Sequence, residues 1–114
     1  MEFENKYGQC PMFYTMSVVE GKWKWVILWK IHEAGIIRYN KLRDELYPIA
    51  HRTLSKQLKE LEASNLIHRE QYNEVPPKVE YSLTDEGSTL IPILQLMYQW
   101  GEMQLKKHMQ EIDN

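Results

Sequence analysis

One cysteine, Cys10, in 114 residues excludes an internal disulfide framework and fits a reducing compartment. Apolar runs are short: the longest, Trp25 to Trp29, falls far below the roughly 20 residues that a membrane-spanning helix needs. The opening MEFENKYGQ is acidic and lacks an apolar stretch, so no signal peptide is expected and the expected compartment is the cytoplasm. His32, His51, His68 and His108 are scattered, without the i, i+4 spacing of a metal site. Paired carboxylates, a nucleophile elbow and a Gly-rich phosphate loop are all missing, so neither an enzyme nor a cofactor is expected. No repeat, low-complexity stretch or Gly/Ser-rich linker divides the chain. Residues 1–114 therefore read as one domain, long enough for a core of its own.

Positive charge is also scarce overall, with a formal net charge of -2, but it is unevenly placed. Between Lys22 and Arg69 ten Lys/Arg face five Asp/Glu, a local +5, whereas the remainder holds four against eleven, or -7. A local basic face governs docking on a polyanion, while the global charge limits non-specific affinity. The balance suits a chain that depends on a defined site or on dimerisation for tight binding.

The most informative stretch runs from Pro48 to Thr84. Leu54, Leu58 and Leu61 recur at i, i+4 and i+7 and share one face of a helix predicted over Ala50–Ser64. Arg52, Lys56 and Lys59 occupy the opposite face, flanked by Thr53 and Ser55. After Asn65 the period changes to two. Leu66, His68 and Glu70 alternate with Ile67, Arg69 and Gln71, and Lys78, Glu80 and Ser82 with Val79, Tyr81 and Leu83. Pro76-Pro77 stiffens the tip between these strands. A leucine-anchored helix with a basic outer face, followed by a hairpin, is the winged helix-turn-helix plan, whose second helix lies in a DNA major groove.

Upstream, Pro11 suits a first helical turn, and Met12, Phe13, Tyr14, Met16 and Val19 give that helix an apolar surface. A second helix over Lys22–Glu33 is apolar almost all round and so is expected to be buried on several sides. Ile36-Ile37-Arg38 reads as a short strand closing the wing sheet, and Tyr39–Leu46 as the first helix of the helix-turn-helix. A last helix is expected over Thr84–Met109, with Asp85 and Glu86 in its first turn, Lys106, Lys107 and His108 near its end, and a kink or break at Pro92. Its apolar residues span about 240° of circumference, where a monomer's surface helix needs a stripe of about 100°. The surplus calls for a second copy.

The segments CPMFYTMSVVEGKWKWVIL (Cys10 to Leu28), RYNKLRDEL (Arg38 to Leu46), LSKQLKELEASNLIHRE and VPPKVEYSLTDEG together resemble the HxlR-type transcriptional regulators, relatives of the MarR group. The resemblance covers roughly Gln9 to Met103, and its specificity lies in Cys-Pro, Gly-Lys-Trp and Pro-Pro-x-Val-Glu-Tyr-Ser-Leu-Thr at these separations. It implies a mainly α fold with a small β-hairpin wing, and N- and C-terminal helices forming a dimer interface. Ala50 departs from the family's usual Ser cap, and Trp29 stands where the family is often polar.

The expected function is sequence-specific regulation of transcription, as a homodimeric repressor on double-stranded operator DNA. Arg52, Thr53, Ser55, Lys56 and Lys59 would meet bases and phosphates, with Arg69 and Lys78 bringing the wing to the backbone or minor groove. Phe13, Met16, Ile93, Leu96, Met97, Trp100 and Met103 would form the dimer interface. For Cys10 two readings stand. A lone cysteine is commonly a small buried residue, yet a helix start favours thiolate, and Lys6, Lys22 or Lys24 would add charge. The resemblance implies sensing of electrophiles or oxidants at this position. The rival effector is a reversible small ligand in an aromatic interface pocket, and a different class is a winged-helix module that binds an acidic protein.

Overall fold

The computed structural model describes residues 10–113. In chain order the elements are α1 (Pro11–Val19), α2 (Lys24–Ala34), β1 (Ile36–Arg38), α3 (Tyr39–Glu45), α4 (His51–Ala63), β2 (Ile67–Tyr72), β3 (Lys78–Leu83), α5 (Asp85–Ser88) and α6 (Ile91–Asp113). The sheet is antiparallel with order β1-β3-β2, so the short first strand closes the hairpin wing as expected. The fold is a winged helix-turn-helix in which α3 and α4 form the helix pair.

Local chemistry explains the boundaries. Pro11 sits in the first turn of α1, where its missing N–H costs nothing. Helix α2 begins at Lys24, two residues later than expected, because Gly21 adopts a positive φ of 105° and the Gly-Lys-Trp segment forms a bend before the helix. At the far end Gly35, with φ 80°, donates its N–H to the Ile31 carbonyl at 2.8 Å and stops the helix.

The end of α4 is fixed by Asn65, at φ 60°. Asn65 N–H donates to Glu62 O at 2.9 Å and Leu66 N–H to Leu61 O at 3.0 Å. That pair of bonds is the Schellman motif, and the buried Leu61 and Leu66 supply its apolar contact. Asn tolerates the left-handed conformation better than most side chains. Thr84 then ties this corner to α5. Its hydroxyl donates to Asn65 O at 2.6 Å and accepts from Gly87 N–H at 2.9 Å, while its N–H donates to Leu66 O at 3.1 Å.

The core collects Val19, Ile27, Leu28 and Ile31 from the first two helices, Leu42, Leu46 and Ile49 around α3, the α4 leucines, and Leu66, Ile67, Tyr81 and Leu94. Helix α2 is central, as its composition predicts. Trp29 is half-buried and stacks on Tyr98 of α6, with ring centroids 4.9 Å apart, which joins the last helix to the body.

The single C-terminal helix expected over 84–109 is two helices. The chain breaks at Thr89-Leu90, and Pro92 lies in the first turn of α6, where a proline is tolerated. The residue before a proline avoids the α region, and here the break falls just upstream of that pair. Asp85 and Glu86 therefore belong to α5. Helix α6 runs on to Asp113, so Lys106, Lys107 and His108 fall short of its last turn, which has no basic residue. Its 23 residues span about 34 Å. The radius of gyration, 16.4 Å, exceeds the about 13 Å of a compact domain this size because that helix projects. No helix among the described residues is long and apolar enough to cross a membrane.

Candidate nucleic-acid interface

Helix α4 is built as a wedge. Leu54, Leu58 and Leu61 are 0–2 % exposed and fasten it to the core. That anchoring leaves Arg52, Lys56 and Lys59 exposed on the outside, with Thr53 and Ser55 half-buried at the flanks. Ser55 lies 3.5 Å from the Tyr39 hydroxyl, so part of its hydrogen-bonding capacity is already engaged.

In the wing, Ile67, Arg69 and Gln71 pair with Leu83, Tyr81 and Val79. Arg69 thus shares a face with the buried Tyr81 and is turned toward the helices, where its Nη2 donates to Gln71 Oε1 at 3.1 Å. Burial pushes the Tyr81 phenol above its ordinary range, against the opposing pull of Arg69. Lys78 lies on the other face. Its Nζ is 3.5 Å from Glu80 Oε2 and 4.6 Å from the centre of the Tyr72 ring, so its charge is partly neutralised within the wing. Glu80 foremost, with burial second, raises the Tyr72 phenol.

Between α3, α4 and the wing lies a cleft of about 710 Å³. Ser55, Lys59, Arg69 and Lys78 from the expected set line it together with Arg38, Lys41, Tyr39 and His51, which the sequence reading did not assign to the site. The signal for Arg38 was present: a strand pairing with β3 sets Arg38 opposite Glu80, beside the wing. Five cations and one acid, Glu62, line the cleft, so it favours an anion. Arg52 and Lys56 do not line it and face outward from α4.

Ala50 offers α4 no side-chain cap, as its sequence implies. Lys24, which the sequence offered as a source of charge for Cys10, is engaged in an ion pair. It is 6 % exposed and holds Glu60 of α4 at 2.9 Å. The hydrogen bond from Lys24 keeps the Glu60 carboxyl below its ordinary value, against a smaller opposing effect of burial. Lys22 lies over the Trp23 ring, 4.9 Å from its centre. Lys6 falls outside the described residues. Cys10 itself is exposed at the N-cap of α1, so it is no part of the protomer's core.

In α1 and α6, Phe13, Met16, Ile93, Leu96, Met97, Trp100 and Met103 are 43–67 % exposed in the protomer. No group of three metal-binding side chains occurs among the described residues.

Residues 18–109 match the HxlR-like helix-turn-helix family. The chain is 50 % identical over 102 residues to a presumed regulatory protein, MalR, of Fusobacterium mortiferum, covering 90 % of this chain and 95 % of that one. Among solved structures it is similar to the redox regulator HypR in its oxidized form, at 47 % identity and TM-score 0.78, over 82 % of this chain and 96 % of that one. It is also similar to the reduced transcriptional regulator YodB from B. subtilis, at 30 % identity and TM-score 0.70, over 82 % and 91 %. The chain belongs to the HxlR-like helix-turn-helix family of transcriptional regulators.

Proposed function

We propose that this regulator acts as a homodimeric repressor on a pseudo-palindromic operator in the cytoplasm, and that Cys10 carries its signal. The observation that carries the DNA reading is the leucine-wedged α4, whose exposed Arg52, Lys56 and Lys59 stand beside a basic cleft and a wing. With α4 in the major groove, the phosphodiester ridge between the grooves enters the cleft and meets Lys59 and Arg69. Thr53 and Ser55 sit at the groove floor's edges, and Lys78 acts at the rim. The whole chain works as one DNA-binding domain, with α6 as its dimerisation helix.

The exposed apolar surface of α1 and α6 supports a two-fold interface. Cys10, at the start of α1, borders that surface. Similarity to a redox regulator described in oxidized and reduced forms supports thiol sensing. With one cysteine per chain, a protein disulfide has to join two subunits; otherwise the product is an alkyl adduct or a mixed disulfide with a small thiol.

The test is fluorescence anisotropy of duplex DNA from the gene's own upstream region, titrated between about 50 and 200 mM salt. Wild type should bind with a steep salt dependence and lose or gain affinity on treatment with diamide or a quinone. Cys10→Ser should bind alike and ignore the reagent. Indifference of both proteins would remove the thiol reading in favour of a reversible ligand, and absence of DNA binding would point to an acidic protein partner.

A further inference from the structure

The start of α4 is unusual in carrying an exposed imidazole held by a core-anchored phenol. Tyr39 is the first residue of α3 and His51 the first of α4, twelve positions apart. The Tyr39 ring is half-buried and packs against the core. Its hydroxyl meets His51 Nδ1, more closely than it approaches either the His51 carbonyl at 3.4 Å or Ser55 Oγ at 3.5 Å. The two rings meet edge-on at 5.4 Å and 79°.

An exposed imidazole on a first turn would ordinarily sample several rotamers, and fixing it costs entropy. The protomer gains little from this: His51 buries nothing and caps nothing. What the contact does achieve is orientation. A hydroxyl hydrogen donated to Nδ1 selects the tautomer that carries its hydrogen on Nε2, and the protonated ring keeps that hydrogen. With the hydroxyl hydrogen donated to Nδ1, or with the ring protonated, Nε2–H is a donor with no partner among the described residues, on a ring that lines the basic cleft.

We infer that His51 is a further DNA contact of the recognition helix, donating Nε2–H to a phosphate of the strand that crosses the cleft, and that Tyr39 is the residue that positions it. The inference rests on the DNA reading above and names a contact within that same site. A phosphate is favoured over a base because the helix start adds its own dipole and unbonded N–H groups to the cleft's positive field. The charged groups around the ring are Arg38 and Lys41 from β1 and α3, Lys59 and Glu62 from α4, and Arg69 and Lys78 from the wing, with Arg52 next in sequence. A bound phosphate favours the protonated, doubly donating imidazole, so operator binding takes up protons and tightens as pH falls from about 8 to 6.

The test uses the full chain and anisotropy on operator DNA at fixed ionic strength, for wild type, His51→Gln, Tyr39→Phe and His68→Gln. Wild type should tighten about 3- to 10-fold between pH 8 and pH 6. His51→Gln should bind weaker at pH 6 by a similar factor, with a flat pH profile and a salt slope lower by about one unit. Tyr39→Phe keeps the packed ring and loses the hydroxyl. It should melt near the wild-type temperature, bind about 3-fold weaker and show a flattened profile. His68, bonded to Glu70 at 3.1 Å on the wing's other face, is the control, and its variant should keep the wild-type profile. A wild-type pH profile in His51→Gln would overturn the contact. A wild-type profile in Tyr39→Phe beside a flat one in His51→Gln would overturn the positioning role alone. If wild type failed to bind upstream DNA with any salt dependence, the DNA reading itself would fall and take this contact with it.

Discussion

Helices α4 and α6 are both amphipathic by sequence, yet one is completed inside the protomer and the other is not. In α4 the three leucines are wholly consumed by the core, and what remains outside is charge. Among the described side chains of α6 only Leu94 is buried, while Leu96, Trp100 and Met103 lie open, and beyond them Leu105, Met109 and Ile112 are 62–69 % exposed at i, i+4 and i+7. Surface left over after folding states what a helix still has to meet. On the proposed reading that is a hydrated polyanion for α4, matched by cations at small cost, and another apolar face for α6, since area of this extent is rarely tolerated open in water.

The same substitution on each helix separates the two. Leu54→Ala should cost about 2 to 5 kcal/mol of stability, because it leaves a cavity in a closed core. Leu96→Ala, on an open face, should change the protomer's own stability by less than about 0.5 kcal/mol. In a dimer its cost should instead appear as a midpoint that depends on protein concentration. Denaturant unfolding at several concentrations measures both. A Leu96→Ala loss as large as that of Leu54→Ala, and independent of concentration, would mean that α6 is finished within one chain.

Gly87 sharpens the boundary between these regions. A Cβ there would stand 2.0 Å from the Leu66 carbonyl oxygen, a backbone atom that cannot swing away. Gly87→Ala should therefore cost about 1 to 3 kcal/mol, with Thr84→Val near the lower end through loss of the cap. Because this corner joins the end of α4 to the start of α5, the Ala variant should also weaken operator binding more than its loss of stability accounts for. Equal dimer affinity and unchanged operator binding in Gly87→Ala would show that the corner is packing alone.

The contrast between the helices also explains what the sequence disclosed. Leu54, Leu58 and Leu61 announced α4 because helix period, charge segregation and burial coincide in 13 residues. The wing was legible from its change to period two, and the pairing register preserved that alternation. In α6 the period was visible and the interruption near Pro92 was expected as a kink or break, but the boundaries were not, since Asp85, Glu86 and Pro92 mark the starts of two successive helices. The cleft was the least legible. It depends on Tyr39 and His51 meeting across a turn, and that contact is not written in local pattern.

Within α4, the Lys24–Glu60 pair tests how firmly the recognition helix is held from behind. Glu60 is depressed in the folded state, so it contributes stability that is present above its unfolded value near 4.5 and is lost as pH falls through the lower folded value. Glu60→Gln should remove that acid-side slope. Its side chain is 41 % exposed and screened by solvent, so the loss at pH 7 should be only about 1 kcal/mol. Lys24→Met should remove the same acid-side slope at a cost no smaller, because Glu60 then keeps its charge without a partner. A pH–stability curve for the two variants measures this. A wild-type acid limb in Glu60→Gln would assign acid sensitivity to another carboxylate.

The smallest effect separates two lysines that a count of charges treats as equal. Lys56 stands exposed on α4 with no ion-pair partner among the described residues, whereas Lys78 lies 3.5 Å from Glu80 and over the Tyr72 ring. A phosphate contact contributes to the salt slope through the counterions it releases, about one unit per charge neutralised. Lys56→Ala should lower the slope of operator affinity against salt by that amount. Lys78→Ala should lower it by clearly less, because Glu80 already offsets much of that charge in the free protein. Glu80→Gln makes the difference decisive. Freed of its partner, Lys78 should then raise the slope and tighten binding at low salt, an effect that Lys78→Ala in the same background should abolish. Equal slopes in Lys56→Ala and Lys78→Ala would mean that DNA draws Lys78 away from Glu80, and that the wing contributes a full charge to the interface after all.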